Sequence, residues 1–423
     1  MAAATLVVKA SGMVKEMVVA WRFGTSDELD AFTVALIVPF SLLHTVVTPL
    51  QSTFLPVYVL VEYRDGSKAA AQLFSNSILW LLGVFTCITA GMVLGGPIYL
   101  PYLASGFSPA KLSLSFHLLC LLAPMMLLVG TSFFVSGILN VKNQFAITAA
   151  APLITTALTI FLLVWAKSIG IYGMALAMTV GAGIELIFLA ILLSRQGVSL
   201  SPRWGLLPPP LKQVFRSSLS LMVSNLLMTG TNLAGIALAA RLPTGSVSSL
   251  GYANKVTSLT LGVIATSLST VATPYLSKLS SHGDWKQLKS SFQQLLGGSL
   301  LVTVPLTISL MLMAKPLIRF LFGQGAFAID DVEIVAEVLF YLAMQIPFHV
   351  SNVLAARLFL ALRVPQAILY VSLGSLLIYL ISAHFLSAQL GLVGIAISFD
   401  IIYFFSSLAL YLLAIRKFKK LLA

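Results

Sequence analysis

The sequence predicts an all-α polytopic membrane protein: about twelve transmembrane helices in two pseudo-repeated six-helix lobes around a central cavity. Three observations predict it. Hydrophobic residues make up 59% of the 423 positions and charged residues only 9%, whereas soluble domains carry roughly 25% charged residues. Apolar stretches of about 20 residues, the length that crosses the hydrocarbon core as a helix, recur from end to end. The punctuation between them also recurs, at an offset of about 220 residues. Phe54-Leu55-Pro56 and the charged turn Arg64-Asp65-Gly66-Ser67-Lys68 line up with Ala272-Thr273-Pro274 and His282-Gly283-Asp284-Trp285-Lys286. Lys142 lines up with Arg363, and Gly170, Gly173 and Arg195 with Gly391, Gly394 and Arg416. A duplicated bundle with a cleft between its halves is an architecture of secondary transporters.

The predicted spans follow in order. The first, 5–21, carries Lys9, Lys15 and Glu16, has no signal-peptide cleavage site, and reads as a helix short of a turn or more. The second, 31–60, is too long for one straight crossing, so tilt, a kink near Pro39 or extension beyond the bilayer is expected. After the charged turn come 73–94 and an outer connection, Gly95–Lys111, which holds a short apolar piece and the Gly106-Phe107 turn. Spans 113–140, 146–165 and 171–193 complete a first lobe, 1–195. The stretch 196–213 contains Arg203, Trp204 and Pro208-Pro209-Pro210. Three prolines favour an extended strap, read as a cytoplasmic linker that is either an ordinary loop or a segment lying on the membrane. The second lobe, 214–423, repeats the pattern with 215–240, 248–274, 291–314, 334–360, 366–386 and 391–414. Its outer connection Lys315–Asp331 matches Gly95–Lys111, and Asp330, Asp331 and Glu333 suit the dipole at the start of the tenth helix.

The basic residues set an orientation. With both termini inside, the inner connections and tail hold most of the lysine and arginine, among them Arg64, Lys68, Lys142, Arg195, Lys286 and Lys289 together with Arg416, Lys417, Lys419 and Lys420. The outer side holds fewer, including Arg22, Lys111 and Arg319. This is a positive-inside bias. The net charge of +12 therefore reports topology and contact with anionic membrane lipid; it calls for no nucleic acid. Cys87 and Cys120 both fall inside spans, with no metal spacing and no expected disulfide.

Charges within spans cost roughly 2.5–3.5 kcal/mol each on insertion scales and face a bundle interior or a wet cavity. Lys9, Lys15 and Lys255 are the cationic candidates for a cavity that would favour an anionic ligand. Each also has a plainer reading. Lys9 snorkels to the interface, Lys15 pairs with Glu16 or Asp30, and Lys255 serves structure. Asp30 is either a cavity acid or the N-cap before Ala31. Glu185 and Asp400 are buried acids that hold a coupling proton or cation, or are simply packed. His44, His117, His349 and His384 are scattered and define no site. No phosphate-binding loop, dinucleotide turn, zinc helix or nucleophile triad occurs. The reading is therefore not an enzyme, with no cofactor and no metal.

Several motifs resemble the MurJ (MviN) flippase family of the multidrug/oligosaccharidyl-lipid/polysaccharide superfamily. They are Gly12-Met13-Val14-Lys15-Glu16, Phe23-Gly24-Thr25-Ser26-Asp27-Glu28-Leu29-Asp30-Ala31-Phe32 with Pro39, and Phe54-Leu55-Pro56. In the second half they are Tyr252-Ala253-Asn254-Lys255, Pro274-Tyr275-Leu276-Ser277-Lys278 and Phe322-Gly323-Gln324-Gly325-Ala326-Phe327, then Ala361 and Pro365. The resemblance implies a two-lobed bundle in the bacterial cytoplasmic membrane. It would move an undecaprenyl-pyrophosphate-linked saccharide, with the peptidoglycan precursor lipid II the leading case, to the outer leaflet by alternating access. It also implies cavity-lining basic groups at Lys9, Lys15 and Lys255 and an acid at Asp30, and it makes cell-wall synthesis proteins candidate partners. The oligomeric state is left open. The chain departs from the family where Leu43 or His44 stands in place of a helix-2 arginine, and it has about twelve spans where the family usually has fourteen. Lysine keeps the charge but lacks the bidentate fork of arginine. Exopolysaccharide or O-antigen lipid-linked units, a drug or cation antiporter using Glu185 and Asp400, and a membrane scaffold are the competing readings.

Overall fold

The structure, a computed structural model, describes residues 2–198, 209–362, 364 and 366–422. Most of the expected inter-lobe linker, 196–213, lies outside them. The first half holds α1 (Ala2–Phe23), α2 (Asp27–Leu42), α3 (Thr48–Asp65), α4 (Ser67–Leu103), α5 (Pro109–Val141), α6 (Phe145–Ala150), α7 (Pro152–Trp165) and α8 (Gly170–Arg195). The second holds α9 (Pro209–Ala239), α10 (Ser246–His282), α11 (Trp285–Leu312), α12 (Ala314–Phe322), α13 (Ile329–Ala361) and α14 (Gln366–Leu422). Among the described residues, nine helical stretches are long and apolar enough to cross a membrane. α1, of 22 residues, carries Lys9 and Lys15, and α10, of 37 residues, carries Lys255 and is rich in serine and threonine.

The repeat is visible in the helix starts. Asp27 and Ser246, Ser67 and Trp285, Pro109 and Ile329, and Gly170 and Gly391 open equivalent segments. Gly391 divides α14 into two helices: its φ of 58° and ψ of −130° are matched by 58° and −143° at Gly170. Only glycine takes such a backbone without a steric penalty, so both glycines act as elbows between consecutive helices.

Several expectations need correction. The irregularity in the long second span is not at Pro39, which sits inside regular helix, but at Leu43–Val47, where one π-helical turn joins α2 to α3. Pro49 follows immediately. Its ring crowds the carbonyl one turn back, and a widened turn relieves that crowding. The apolar piece of the first outer connection is the continuous end of α4, whereas its counterpart in the second half is the separate helix α12. Pro209 and Pro210 do not prolong a strap. They open α9, where a missing N–H costs nothing.

By internal packing the chain divides into two units, Met1–Thr229 and Gly230–Ala423. In the first unit α5 packs against α2, α4 and α8. Its core stacks Phe54, Tyr58, Phe74, Phe85 and Phe134, with Phe54 edge-on to Phe134 at 5.7 Å. Leu211 and Val214 of α9 join this core, and Ser218 meets Thr53 hydroxyl to hydroxyl at 2.7 Å. In the second unit α13 packs against α10, α11, α12 and α14, around Leu276, Phe292, Leu354, Leu358, Phe359 and Phe418. Outward-facing apolar side chains such as Leu94, Ile98, Leu301 and Leu312 stay exposed, as suits a surface solvated by hydrocarbon.

Candidate functional site

The turn between α1 and α2 builds the acid of the first unit. Gly24 takes a positive φ of 54° and its N–H closes on the Ala20 carbonyl at 2.8 Å. Ser26 then caps α2, accepting the Leu29 N–H. The N-cap is therefore Ser26 and not Asp30. Asp27, Glu28 and Asp30 fall in the first turn of α2, where negative charge is favoured.

Asp30 is almost fully buried, and its partner is Lys111. Ser108 caps α5 and accepts the Lys111 N–H, which places Lys111 in the first turn of that helix. The Lys111 ammonium reaches Asp30 at 2.9 Å and also bonds Asp27, while sitting 4.1 Å from the centre of the Phe107 ring. The Lys111 side chain is only 10% exposed and that of Asp30 2%. Sequence reasoning placed Lys111 in an outer loop and missed this pairing. The signal was present in Gly106-Phe107-Ser108-Pro109, a turn and cap that fix where α5 begins.

Lys15 pairs with its neighbour Glu16 at 2.9 Å, and both are partly buried on α1; Lys9 is half-buried on the same helix. Arg22 at the end of α1 donates to the Leu163 carbonyl of α7. Glu185 of α8 accepts from Thr155 of α7 at 2.8 Å.

In the second unit Lys255 is half-buried and lies 5.1 Å from the ring centre of Tyr252. Tyr252 packs against Phe322 at 4.8 Å and Phe327 at 5.4 Å. The Tyr252–Lys255 and Phe322–Phe327 motifs, distant in sequence, thus form one aromatic cluster beside a cation. Asp400 lies in the second half of α14 with one carboxylate oxygen buried and without a partner. His349, set aside as one of several scattered histidines, packs on Tyr403 at 4.5 Å. No group of three or more potential metal ligands occurs among the described residues.

The family model described as "Lipid II flippase MurJ" matches residues 19–423. The chain belongs to this family. Among relatives, a protein of Synechocystis sp. described as a probable lipid II flippase MurJ is 27% identical over 378 residues, covering 85% of this chain and 70% of the relative. A Bdellovibrio bacteriovorus protein of the same description is 26% identical over 413 residues, covering 94% and 77%. Two solved structures share the fold of this chain. A lipid II flippase MurJ in an inward closed conformation superposes with a TM-score of 0.84 at 20% identity, covering 99% of this chain and 89% of that one. An inward-facing MATE family transporter of the MOP superfamily gives 0.85 at 15% identity, covering 100% and 99%.

Proposed function

We infer that this MurJ-family protein translocates lipid II from the inner to the outer leaflet of the bacterial cytoplasmic membrane by alternating access, and so supplies peptidoglycan synthesis. The observation that carries this reading is the family match from residue 19 to residue 423, which runs through both units. Charge placement supports it too, because α1 and α10 hold the cationic candidates Lys9, Lys15 and Lys255. Both termini are assigned to the cytoplasm on the positive-inside bias.

In this reading the half-buried Lys15 and Lys255 are the groups that attract the pyrophosphate of the substrate, and Lys9 adds positive potential on α1. A lysine offers three donors and a compact charge but no planar fork, so grip is traded for mobility. Asp30 does not meet the phosphate, since it is an anion held by Lys111; it fixes the start of α2. The polyprenyl tail stays in lipid.

The test uses bacteria whose own lipid II flippase is shut off. The chain is expressed, and the lipid II that becomes cleavable at the outer face by an added lipid II-degrading toxin is measured. Cleavage is expected to return. Charge-assisted hydrogen bonds contribute about 1.5–3 kcal/mol each, so Lys15→Ala with Lys255→Ala should lower the rate by roughly tenfold or more. Absent cleavage, with the protein verified in the membrane, would move the substrate to another lipid-linked glycan. Unchanged cleavage in the double variant would remove the two lysines from the site.

A further inference from the structure

The interface between α13 and the second half of α14 carries a polar ladder. Gln345, His349 and Asn352 recur at spacings of four and three, which puts them on one face of α13. Asp400, Tyr403 and Ser406 recur at spacings of three on α14. The two stripes meet rung by rung. Asp400 lies against the backbone at Gln345, the His349 and Tyr403 rings are 4.5 Å apart, and the Asn352 amide donates to the Ser406 hydroxyl. Tyr379, from the first half of α14, packs on Phe399 at 4.8 Å. Its hydroxyl occupies the space that a side chain at Gly235 of α9 would fill.

Three polar atoms in this region are buried without a hydrogen-bond partner: Asp400 Oδ1, His349 Nδ1 and Tyr379 Oη. In a hydrocarbon setting each such atom costs several kcal/mol, so a group of them on facing helices is more polar chemistry than packing needs. Helix packing alone does not require this chemistry. At the matching positions of the first unit, α5 presents Met125, Val129 and Ser132 and α8 presents Thr179, Ala182 and Glu185. There Thr179 donates to the Leu121 carbonyl at 2.8 Å and Glu185 accepts from Thr155, and among these positions the Ser132 hydroxyl is buried without a hydrogen-bond partner, against the three such atoms named above in the second unit.

We propose that the α13–α14 seam is a proton site, in which Asp400, or His349 one rung further along the same seam, holds one proton that is taken up from and returned to water. The proton adds to a lone pair on Asp400 Oδ1 or His349 Nδ1, and the donor hydronium leaves as water. With a carboxylate beside a neutral imidazole the pair carries one negative charge. One added proton brings the pair to zero, whether as acid and imidazole or as carboxylate and imidazolium. The groups facing the pair are Gln345 and Asn352 of α13 and Tyr379, Tyr403 and Ser406 of α14; none brings a positive charge. On the other helices packed against α13, Lys255 of α10 lies over Tyr252, Tyr275 of α10 meets Ser291 of α11, and Lys315 of α12 pairs with Glu333. Arg357 lies two turns further along α13. Pro347, inside α13 next to the ladder, cannot donate a backbone hydrogen bond and leaves the helix easier to bend there, which gives the proton a mechanical outlet.

Infrared difference spectra across a pH step, on purified full-length protein in lipid without any substrate, test the proposal. A carboxylic-acid carbonyl band that titrates is expected in the parent and in Glu185→Gln, and is expected to vanish in Asp400→Asn. In His349→Gln its midpoint should move by roughly one pH unit or more. If Asp400→Asn does not accumulate, Asp400→Glu and His349→Gln carry the test: a displaced band in both supports the proton site, and an unmoved band in both overturns it. A band independent of Asp400, or one that responds to sodium instead of pH, also overturns it. No lipid II enters this measurement, so its failure leaves the flippase reading standing, and the converse holds.

Discussion

α5 lies on α8 in the first unit as α13 lies on the second half of α14 in the second, yet the two seams are chemically unlike. The first sets Met125, Val129 and Ser132 against Thr179, Ala182 and Glu185; its Thr179 and Glu185 are committed to neighbours and only the Ser132 hydroxyl among them is buried and open. The second sets Gln345, His349 and Asn352 against Asp400, Tyr403 and Ser406 and leaves an acid oxygen and an imidazole nitrogen open. The same divergence appears where the helices begin. The first unit ties α2 to α5 with an ion pair, Asp30 to Lys111, whereas the second packs Tyr252 of α10 against Phe322 and Phe327. A duplicated backbone fixes which helices touch; it does not fix what they say to each other. Where one copy packs the same seam with fewer open polar groups, the added polar chemistry in the other copy needs a reason outside folding.

The elbows give the largest expected difference between the copies. A methyl group at Gly394 would lie 2.1 Å from the Leu386 carbonyl oxygen and 2.8 Å from the Ser387 nitrogen, so the two halves of α14 would have to separate. At Gly173 the nearest atoms belong to the Ile169 side chain, at 3.2 and 3.3 Å, and a small rotation accommodates them. Gly394→Ala should therefore cost more than about 4 kcal/mol, seen as loss of monodisperse protein after mild heating in detergent. Gly173→Ala should stay within about 1 kcal/mol of the parent, since alanine also favours the helix. Equal losses at both positions would mean that the elbows are equivalent and the second is not the tighter.

The helix starts give the next largest. Lys111→Met removes the counter-charge of a buried Asp30, and breaking a buried pair from one side costs about 3–5 kcal/mol. Adding Asp30→Asn should restore much of that loss, because the stranded charge is then gone. In the second unit Phe327→Leu keeps the bulk but loses the edge-on contact with Tyr252, worth about 0.5–1.5 kcal/mol. Thermal unfolding of the three variants and the parent in one detergent compares them. If Lys111→Met melts with the parent, the ion pair contributes nothing to the first unit and the contrast between ionic and aromatic ends is lost.

The fold was largely legible because its determinants are local. Hydropathy located the helices, Gly66, Gly170, Gly283 and Gly391 marked the turns between them, and the recurrence of that punctuation exposed the duplication. The π turn at Leu43–Val47 was not legible: Pro39 and Pro49 both invite a distortion, and only packing decides which yields. The proline run before α9 misled for a related reason, since proline opens a helix as readily as it stops one. Of the site, the family motifs pointed to Asp30 and Lys255, whereas Lys111 was hidden in an apparent loop. His349 was dismissed because its partners come from another helix some fifty residues on. Spacing along one helix shows a polar stripe, but meaning appears only when a second stripe is known to face it.

The seams themselves offer the comparison's most direct break, with the smallest expected effect on stability. Gln345→Met, His349→Val and Asp400→Thr together write the first unit's residues into the second. Replacing buried polar groups by apolar ones of similar size is often neutral or stabilising, so the triple variant should melt with the parent or be more stable by up to about 2 kcal/mol. It should also lose the titrating carbonyl band, and any pH dependence of outer-face lipid II cleavage should flatten. A triple variant that unfolds would show that the second seam needs its polar ladder simply to pack. In that case Asp400 and His349 belong to the architecture, and the difference between the two units is one of construction rather than of function.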